Sequence, residues 1–263
     1  MNAAAPLAHI RVVLSHPSHP GNIGAAARAM KTMGLARLYL VNPAPFETGE
    51  ARALSTSGLE VLDRAVVCAS LDQALQGTAI AIAFSARERL LSHPPAAARA
   101  AAAEAVRAAR AAEVAMVFGN ETSGLSNHEV MKCNRLAYIP ADPGYSSLNL
   151  AAAVQVVCYE LCLAARDLAV GAGIAARSEP APGTALARFE EVENFYGHLE
   201  QTLYASGFLQ AAYPRRLMER LRRLFGRARL EREEVNILRG ILTSVQTRPE
   251  LRPGRGSDSA AKK

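Results

Sequence analysis

The stretch IPADPGYSSLNL, residues 139–150, separates two strongly apolar segments of the chain. Leu136 and Tyr138 precede it in a predicted strand, and an alanine-rich apolar helix is predicted over residues 148–168. Two prolines and a glycine prevent regular structure between the two segments. Polar loops between a strand and a buried helix are frequent positions for binding groups. The stretch therefore predicts a strand–loop–helix unit with a candidate binding loop; the alternative is that its Ser and Asn side chains only cap the helix.

Short apolar runs alternate with longer helical patterns upstream of this unit. The predicted strands are 10–14, 37–41, 65–68, 79–84, 114–118 and 136–139. The predicted helices are 22–33 with Asn22 as its N-cap, 54–62, 71–76, 95–113, a short helix with a Ser126–Glu129 capping box, and 148–168. This β–α–β order predicts an α/β fold, a mostly parallel sheet with helices on both faces and right-handed crossovers.

The last third of the chain has a different composition. Residues 171–187 are rich in Gly, Pro and small residues, which predicts a linker after a first domain of residues 1–170. A helical extension follows over residues 188–248, with helices at about 188–205, 214–227 and 231–245, and residues 249–263 are predicted to be a disordered tail.

The net charge of +6 comes mostly from this C-terminal region. Residues 188–263 carry 15 Lys and Arg against 10 Asp and Glu, whereas residues 1–187 carry 15 against 14. Seven arginines lie between Arg215 and Arg229, interleaved with apolar residues at helical spacing. This distribution indicates a polyanionic partner, and the alternative is a solvated basic helix face.

Several classes of site and location are excluded or disfavoured. The four cysteines lack C-x-x-C spacing and the six histidines lack metal-ligand spacing, so no metal site is predicted, although His16 and His19 are possible polar contacts in the first loop. The N-terminus lacks the features of a signal peptide, and the most apolar helix, 151–165, is interrupted by Gln155 and Glu160. These features predict a cytoplasmic protein without a membrane span.

Three stretches combine glycines and polar residues where a predicted strand ends. They are PGNIGAAAR (residues 20–28), VFGNETSGLS (residues 117–126) and the 139–150 loop. Glycine and alanine at a helix start let backbone N–H groups approach an anion, and Gly119 permits a close backbone approach. Each stretch alone could equally be an ordinary turn. There is no G-x-G-x-x-G, no P-loop and no G-x-S-x-G motif, which disfavours a dinucleotide, nucleotide or hydrolase site.

Taken together and in this order, the three stretches resemble the motifs of the SPOUT RNA methyltransferases, in the SpoU/TrmH branch. The matching residues are Asn22-x-Gly24-Ala25-x-x-Arg28, then Phe118-Gly119-x-Glu121-x-x-Gly124-Leu125-Ser126, then Ile139-Pro140 with Ser146-Ser147-Leu148-Asn149. The motif resemblance covers residues 9–167. Further likeness at residues 31–35, 85–87, 145–150, 195–200 and 236–240 is to the bacterial tRNA (cytidine/uridine-32) 2′-O-methyltransferases.

The resemblance implies a SPOUT fold whose C-terminal part forms a deep trefoil knot, followed by the small helical extension. It implies that S-adenosylmethionine binds in the knot, mostly through backbone contacts, and that the protein is a homodimer. The cofactor-binding positions carried over are Phe84, Ser85, Ala86, Gly119, Ile139, Ser146, Ser147 and Leu148. Phe84 stands where a smaller residue is common, so its side chain is expected to face away from the cofactor.

The resemblance also implies the reaction, which is transfer of a methyl group to a ribose 2′-hydroxyl at position 32 of the tRNA anticodon loop. Arg28 is the principal catalytic candidate, and a guanidinium that stays protonated is better suited to clamp a phosphate or oxyanion than to act as a base. Asn22, Glu121, Ser147 and Asn149 would hold Arg28 and the target nucleotide. The candidates for RNA binding are Arg87, Arg89, Arg222 and Arg223.

Two alternatives remain open at this point. The first is a 2′-O-methyltransferase that acts on ribosomal RNA or on another tRNA position. The second is an RNA-binding homologue that has lost catalysis, against which stands the presence of the complete set of candidate catalytic residues.

Overall fold

The computed structural model of this chain describes residues 4–87, 94–171, 185–210 and 216–247. Seven strands form its sheet: β1 (Ile10–Ser15), β2 (Arg37–Val41), β3 (Val66–Cys68), β4 (Thr78–Phe84), β5 (Ala96–Ala97), β6 (Glu113–Phe118) and β7 (Arg135–Tyr138). The strand order is β3-β2-β1-β6-β4-β7-β5, and every pairing is parallel. The α/β class and the parallel sheet are therefore confirmed.

The described helices of the sheet region are α1 (Ala4–Leu7), α2 (Pro20–Thr32), α3 (Gly49–Ser55), α4 (Leu59–Asp63), α5 (Leu71–Leu75), α6 (Ala98–Ala108), α7 (Asn127–Lys132) and α8 (Leu150–Gly171). The C-terminal helices are α9 (Phe189–Ala205), α10 (Leu217–Ala228) and α11 (Arg232–Thr247). None of the helices in the described ranges combines the length and apolar character needed to cross a membrane.

Alternate residues of the central strands belong to two separate cores. In β6, Val114, Met116 and Phe118 lie in the larger core, whereas Ala115 and Val117 lie in the smaller one. Successive side chains of a strand point to opposite faces, so a strand that is apolar throughout must be covered on both sides. The larger core includes residues of α2, α6 and α8, and the smaller one includes residues of α5 and α7, which confirms helices on both faces.

The main departures from the predicted elements are a divided helix, a shortened helix and an additional edge strand. The predicted helix 54–62 is divided into α3, a 3₁₀ turn at Thr56–Gly58 and α4. Gly58 packs so tightly on α2 that a Cβ atom there would lie 2.6 Å from Cα of Arg28, and Thr56 has φ of +42°. The break between α3 and α4 thus places Gly58 against α2. The two-residue edge strand β5 was not predicted, and α6 is shorter than the predicted helix 95–113.

The C-terminal helices contact the amino-terminal ends of the strands. Gly77, just before β4, donates its N–H to Glu190 of α9 at 2.9 Å. Arg135, the first residue of β7, donates to the carbonyl of Gly226 in α10 at 2.9 Å. Around Phe195 the three helices have a small core of their own, which Tyr196 and Val235 share. The described part of the predicted linker, residues 185–187, pairs with the chain at Leu230 and Arg232; the division into domains stays a prediction.

Candidate active site

A cavity opens at the carboxyl ends of β4, β6 and β7. Its empty volume is about 780 Å³, with its open mouth included. In parallel α/β sheets, ligands bind outside the carboxyl ends of the strands. The wall contains every position assigned to the cofactor from the sequence: Phe84, Ser85, Ala86, Gly119, Ile139, Ser146, Ser147 and Leu148. The fold thus gathers three distant segments of the chain around one space.

Gly119 gives this wall its shape. A Cβ atom at Gly119 would lie 2.1 Å from the carbonyl carbon of Gly124 and 2.2 Å from the nitrogen of Leu125. The loop returns to this position because Gly124 adopts φ of +65° and donates its N–H to the carbonyl of Asn120 at 2.8 Å. Glycine is the residue that allows both the close approach and the left-handed turn, so the predicted close backbone approach at Gly119 is confirmed.

The floor of the cavity is aromatic. The ring of Phe84 stacks on that of Phe118, with centroids 4.9 Å apart and planes 7° from parallel. Phe84 is 8% exposed and belongs to the larger core. Its side chain is therefore occupied mainly in packing, and the segment that follows it, Ser85 and Ala86, is more open to the cavity.

Glu121 lies in the cavity wall and binds the start of α2. One carboxylate oxygen accepts hydrogen bonds from the N–H and the hydroxyl of Ser18, both at 2.9 Å, and the other accepts from the N–H of His19 and from Nδ2 of Asn22, both at 3.1 Å. Burial tends to raise the pKa of Glu121, but these hydrogen bonds outweigh it and hold the pKa at about 2. Glu121 is therefore an ionised carboxylate at the positive end of a helix.

Asn22 is not the N-cap of α2, contrary to the sequence prediction. The helix begins at Pro20, and His19 is the N-cap residue; proline suits the first helical position because its missing N–H has no partner there. Asn22 lies inside the first turn. Its amide donates to Glu121 and its Oδ1 accepts from Nδ2 of Asn149 at 2.9 Å, so its side chain joins two loops instead of capping the helix.

Asn149 caps α8 and also bonds to the first motif. Its Oδ1 accepts from the backbone N–H groups of Ala151 and Ala152, at 3.0 and 3.3 Å, and so caps α8. Its Nδ2 at the same time donates to Asn22. Glu121, Asn22 and Asn149 thereby form a continuous chain of hydrogen bonds that links the second, first and third sequence motifs.

The expectation that this network holds Arg28 does not match the contacts observed. Arg28 lies exposed on α2, and its guanidinium makes no ion pair or hydrogen bond to another described residue. Its backbone is fixed by the close packing of Gly58. Ser147 lies in the cavity wall. Among the described contacts, Arg28 is therefore linked to the network through α2, the helix that also carries Asn22.

The arginines assigned to RNA binding fall into different settings. Arg87 is exposed and lies in the cavity wall, and Arg89 lies outside the described residues. Arg222 makes a bidentate ion pair with Glu193 and stacks on Tyr196, with its guanidinium carbon 4.3 Å from the ring centroid. Arg223 has a buried Nε without a hydrogen-bond partner in the described structure. RNA binding by these residues stays a prediction.

Sequence reasoning missed two residues that build the site. Ser18 supplies two of the four hydrogen bonds to Glu121. Asn120 donates to the carbonyl of His16 at 2.7 Å and so ties the Glu121 loop to the end of β1. The signal for Ser18 was available, because Ser15 to Pro20 repeats the tripeptide Ser-His-Pro. Asn120 carried no signal of its own.

No group of three or more His, Cys, Asp or Glu side chains among the described residues is arranged to hold a metal ion. The site is instead built from an ionised carboxylate, amides, hydroxyls and two arginines that have no described partner. Such an arrangement can bind a small polar cofactor in the cavity and an anionic substrate beside it.

Comparison with known protein families places both parts of the chain. Residues 9–159 match the SpoU rRNA Methylase family, and residues 190–256 match the C-terminal domain of the tRNA methyltransferase TrmJ.

Similar proteins extend over nearly the full length. The tRNA (cytidine/uridine-2′-O-)-methyltransferase TrmJ of Yersinia enterocolitica is 45% identical over 254 residues, 97% of each chain. The tRNA (cytidine/uridine/adenosine-2′-O-)-methyltransferase TrmJ of Pseudomonas aeruginosa is 45% identical over 91% of this chain and 95% of its own. The crystal structure of TrmJ from Z. mobilis ZM4 aligns with a TM-score of 0.76 at 29% identity, covering 90% of this chain and 99% of that one.

Proposed function

This chain belongs to the SpoU methylase family, in its TrmJ branch, and from that membership we propose that it methylates a ribose 2′-hydroxyl of tRNA with S-adenosylmethionine as the methyl donor. The observation that carries the proposal is that one cavity is lined by all the expected cofactor positions. The Glu121–Asn22–Asn149 network at this cavity joins the three family motifs.

The residues of the cavity fit the cofactor. Gly119 and Gly124 in the wall let backbone segments pack closely beside the cavity, and backbone N–H and C=O groups suit an adenosine and an amino acid moiety. The ionised Glu121 in the same wall suits a sulfonium cation. When bound, S-adenosylmethionine supplies an electrophilic methyl group; the residues of the chain bind it and orient the ribose.

Arg28 would stabilise the negative charge that develops on the attacking oxygen or hold the adjacent phosphate. It is exposed, lies on the helix that Glu121 anchors, and makes no ion pair with a described residue. A guanidinium is positively charged at all relevant pH values and offers a fork of donors. Both properties suit an anion clamp.

For the target we propose a cytidine or uridine at position 32 of the anticodon loop. The support is the similarity over nearly the whole chain to relatives named for cytidine and uridine 2′-O-methylation, together with the C-terminal match to TrmJ. A ribosomal RNA target, which the name of the wider family suggests, is the alternative that the experiment below distinguishes.

We also propose a trefoil knot, a homodimer and a cytoplasmic location. The order of the strands in the sheet supports the knot. Strand β6 lies between β1 and β4, and β7 lies between β4 and β5, although these neighbours all come earlier in the sequence. The family supports the dimer. The tRNA substrate supports the location.

The exposed arginines would supply contacts to RNA phosphates. Arg87 is the first candidate because it lies in the cavity wall, next to the segment that contains Arg89. On α10, Arg220 and Arg227 are exposed, lie seven residues apart on one face of the helix, and make no ion pair with a described residue. They are better placed for phosphates than Arg222, whose guanidinium is paired with Glu193.

Mass-spectrometric mapping of methylated tRNA and ribosomal RNA tests the proposal. The purified protein is incubated with S-adenosylmethionine and unmodified total RNA, and nuclease fragments are searched for 2′-O-methyl groups. A new methyl group at position 32 of tRNA is expected. Methylation only at another position or in ribosomal RNA would refute the target, and no methylation of any RNA would refute the activity.

A further inference from the structure

The loop between β1 and α2 contains a tandem repeat, Ser15-His16-Pro17 followed by Ser18-His19-Pro20. Each serine hydroxyl contacts a glutamate of the β6–α7 region, and each histidine Nδ1 contacts the hydroxyl of its own serine. The chain therefore builds the same carboxylate–hydroxyl–imidazole arrangement twice, with Glu129 in the first copy and Glu121 in the second.

In the second copy the hydrogen bonds assign the donor role to Nδ1 of His19. Glu121 is ionised and can only accept, so the Ser18 hydroxyl, 2.9 Å away, must donate its proton to the carboxylate. Ser18 Oγ then accepts from Nδ1–H of His19, also at 2.9 Å. A neutral imidazole with its proton on Nδ1 carries a lone pair on Nε2. The His19 side chain is 66% exposed, and its Nε2 has no hydrogen bond to a described residue.

The first copy of the repeat differs at Nε2 of its histidine, His16. Ser15 donates to Glu129, and Nδ1 of His16 lies 3.0 Å from Ser15 Oγ. Nε2 of His16, however, lies 3.4 Å from Nδ2 of Asn42, which can donate to it. Nε2 of His16 therefore has a described hydrogen-bond partner, whereas Nε2 of His19 has none among the described residues.

Ribose methylation needs such an acceptor, because the 2′-hydroxyl must lose its proton. The other polar side chains of the site are poorly suited to take it. Glu121 has a pKa of about 2 and both oxygens engaged. Arg28 carries no lone pair while protonated, and the amides of Asn22 and Asn149 are not bases. An imidazole, in contrast, changes charge between about pH 5 and 8.

We propose that Nε2 of His19 accepts the proton that the ribose 2′-hydroxyl loses during methyl transfer. This assignment rests on the proposed 2′-O-methyltransferase activity. The 2′-oxygen forms a bond to the methyl carbon, the bond between that carbon and the sulfonium sulfur breaks with its electron pair left on sulfur, and the hydroxyl proton passes to Nε2. The imidazolium is held by Ser18 and faces Glu121, with its Nδ1 3.6 Å from the carboxylate, and later returns its proton to water.

Two carboxylates lie in the surroundings of His19. Glu121 comes from the β6–α7 loop, and Glu50 comes from α3, with its carboxylate against Gly21 in the first turn of α2. The methylation rate should fall on acidification, as the imidazole becomes protonated before substrate binds.

Paired histidine variants provide the test, with the other copy of the repeat as the matched control. Single-turnover methylation of unmodified tRNA is followed between pH 5.5 and 9 for the parental protein, His19→Gln and His16→Gln, alongside tRNA and S-adenosylmethionine dissociation constants. His19→Gln should slow methylation by about 10²-fold or more and abolish the acidic limb of the profile, with both dissociation constants within about threefold. His16→Gln should match the parental protein. A parental rate or profile for His19→Gln, or an equal loss in both variants, would overturn the assignment.

A readout without turnover comes from ¹⁵N spectra of the histidine side chains. In the parental protein without ligands, neutral His19 should show the proton on Nδ1, and Ser18→Ala should abolish this tautomer preference. The opposite tautomer in the parental protein would contradict the proposal. A His19→Gln variant that weakens tRNA binding without changing the single-turnover rate would also overturn it. If the parental protein methylates no RNA, the proposed function itself fails, which the RNA map shows before any variant is made.

Discussion

At the carboxyl ends of the strands the acidic side chains are satisfied by neutral donors, whereas at the amino ends they are paired with arginines. Glu121 accepts from backbone, hydroxyl and amide groups, and Glu129 accepts from the Ser15 hydroxyl and the N–H of Ser126. Arg87, in the cavity wall, and Arg28, on α2, make no ion pair with a described residue. The site end therefore keeps its positive charges available for an anionic substrate.

The opposite end of the sheet uses its arginines to hold the C-terminal helices and the strand starts together. The ion pairs there are Glu113 with Arg11 and Arg37, Glu104 with Arg135 and Arg229, and Glu193 with Arg222. Several of these side chains are mostly shielded from solvent. Removing one partner of such an ion pair should therefore lower the free energy of unfolding.

The difference shows that the number of arginines in a segment does not identify the ones that bind RNA. The stretch from Arg215 to Arg229 is conspicuously basic, yet two of its arginines, Arg222 and Arg229, neutralise acids of the same chain. An arginine is available to bind a phosphate when its guanidinium is not paired with a carboxylate of the same chain. Which arginines are paired is known only from the structure.

The largest expected effect contrasts an unpaired arginine with a paired one. Arg28→Ala should reduce the single-turnover methylation rate by about 10²- to 10³-fold, the cost of losing one charge-stabilising donor, and leave thermal stability unchanged. Arg222→Ala should lower the free energy of unfolding by about 1–3 kcal/mol, because Glu193 is left without its partner, and keep the rate per folded molecule. Thermal melts and single-turnover assays of both variants provide the measurement.

The opposite result in these two variants would contradict the roles assigned to Arg28 and Arg222. If Arg28→Ala lost stability and Arg222→Ala lost only activity, the unpaired arginine would be structural and the paired one functional. Arg64→Ala, which removes an exposed i, i+4 ion pair with Glu60, is the control and should change the stability by less than about 1 kcal/mol.

A second contrast uses glycines in the two regions. Gly119→Ala should destabilise the protein by about 3 kcal/mol or more, because the new methyl group would overlap the backbone of Gly124, and should abolish S-adenosylmethionine binding. Gly240→Ala in α11 meets no atom within 4 Å and should stabilise by about 0.5–1 kcal/mol. Chemical unfolding and calorimetric titration measure both effects. A well-folded Gly119→Ala variant with normal cofactor affinity would show that the loop can move away from β6.

Periodicity and composition were sufficient for the central strands, because residues buried on both faces give continuous apolar runs. The order of the strands was not accessible from these patterns. The two-residue strand β5 (Ala96–Ala97) also has no pattern of its own, since it lies within an alanine-rich run that reads as helix. The break in the predicted helix 54–62 follows from the contact of Gly58 with α2, a tertiary constraint that local sequence does not express.

At the candidate site, the sequence identified the residues better than their partners. The three motifs named Asn22, Glu121 and Asn149, and the structure joins them by direct hydrogen bonds. Asn22 was assigned to the helix cap because asparagine favours that position. His19 is the N-cap residue instead, because the helix begins at Pro20 and proline suits the first helical position. Pairwise contacts between distant loops depend on the fold and cannot be read from propensities.

The third prediction concerns the neutral partners of Glu121. Glu121→Gln replaces an acceptor oxygen by an NH₂ group that cannot accept from two donors, which should lower the free energy of unfolding by about 1–3 kcal/mol at neutral pH. Since the folded-state pKa of Glu121 is lowered to about 2, its contribution is fully present above the unfolded pKa of about 4.3 and is lost as the pH falls through about 2. The stability difference between the parental protein and Glu121→Gln should therefore shrink between about pH 4.5 and 2.

Urea unfolding at a series of pH values measures this difference. Glu60→Gln is a suitable control, because Glu60 is exposed and its pKa is lowered by the hydrogen bond and the charges of Lys31 and Arg64. Added salt should reduce the small effect of Glu60→Gln and leave that of Glu121→Gln nearly unchanged. A stability difference for Glu121→Gln that is constant down to pH 2 would show that the carboxylate charge contributes nothing.

The smallest effect expected concerns the unpaired arginines of α10. Reversing the charge at Arg220 and Arg227 together should weaken tRNA binding and lower the slope of log affinity against log salt by about one unit for each phosphate that is no longer neutralised. The single-turnover rate at saturating enzyme should stay within about threefold, because α10 contacts the end of the sheet opposite to the cavity. Filter binding between about 50 and 300 mM salt gives the slope. Arg52→Glu together with Arg64→Glu reverses the same charge elsewhere, at two exposed arginines with carboxylate partners, one in α3 and one just after α4. An equal change of slope in both double variants would mean that tRNA senses the net charge of the protein and not the face of α10.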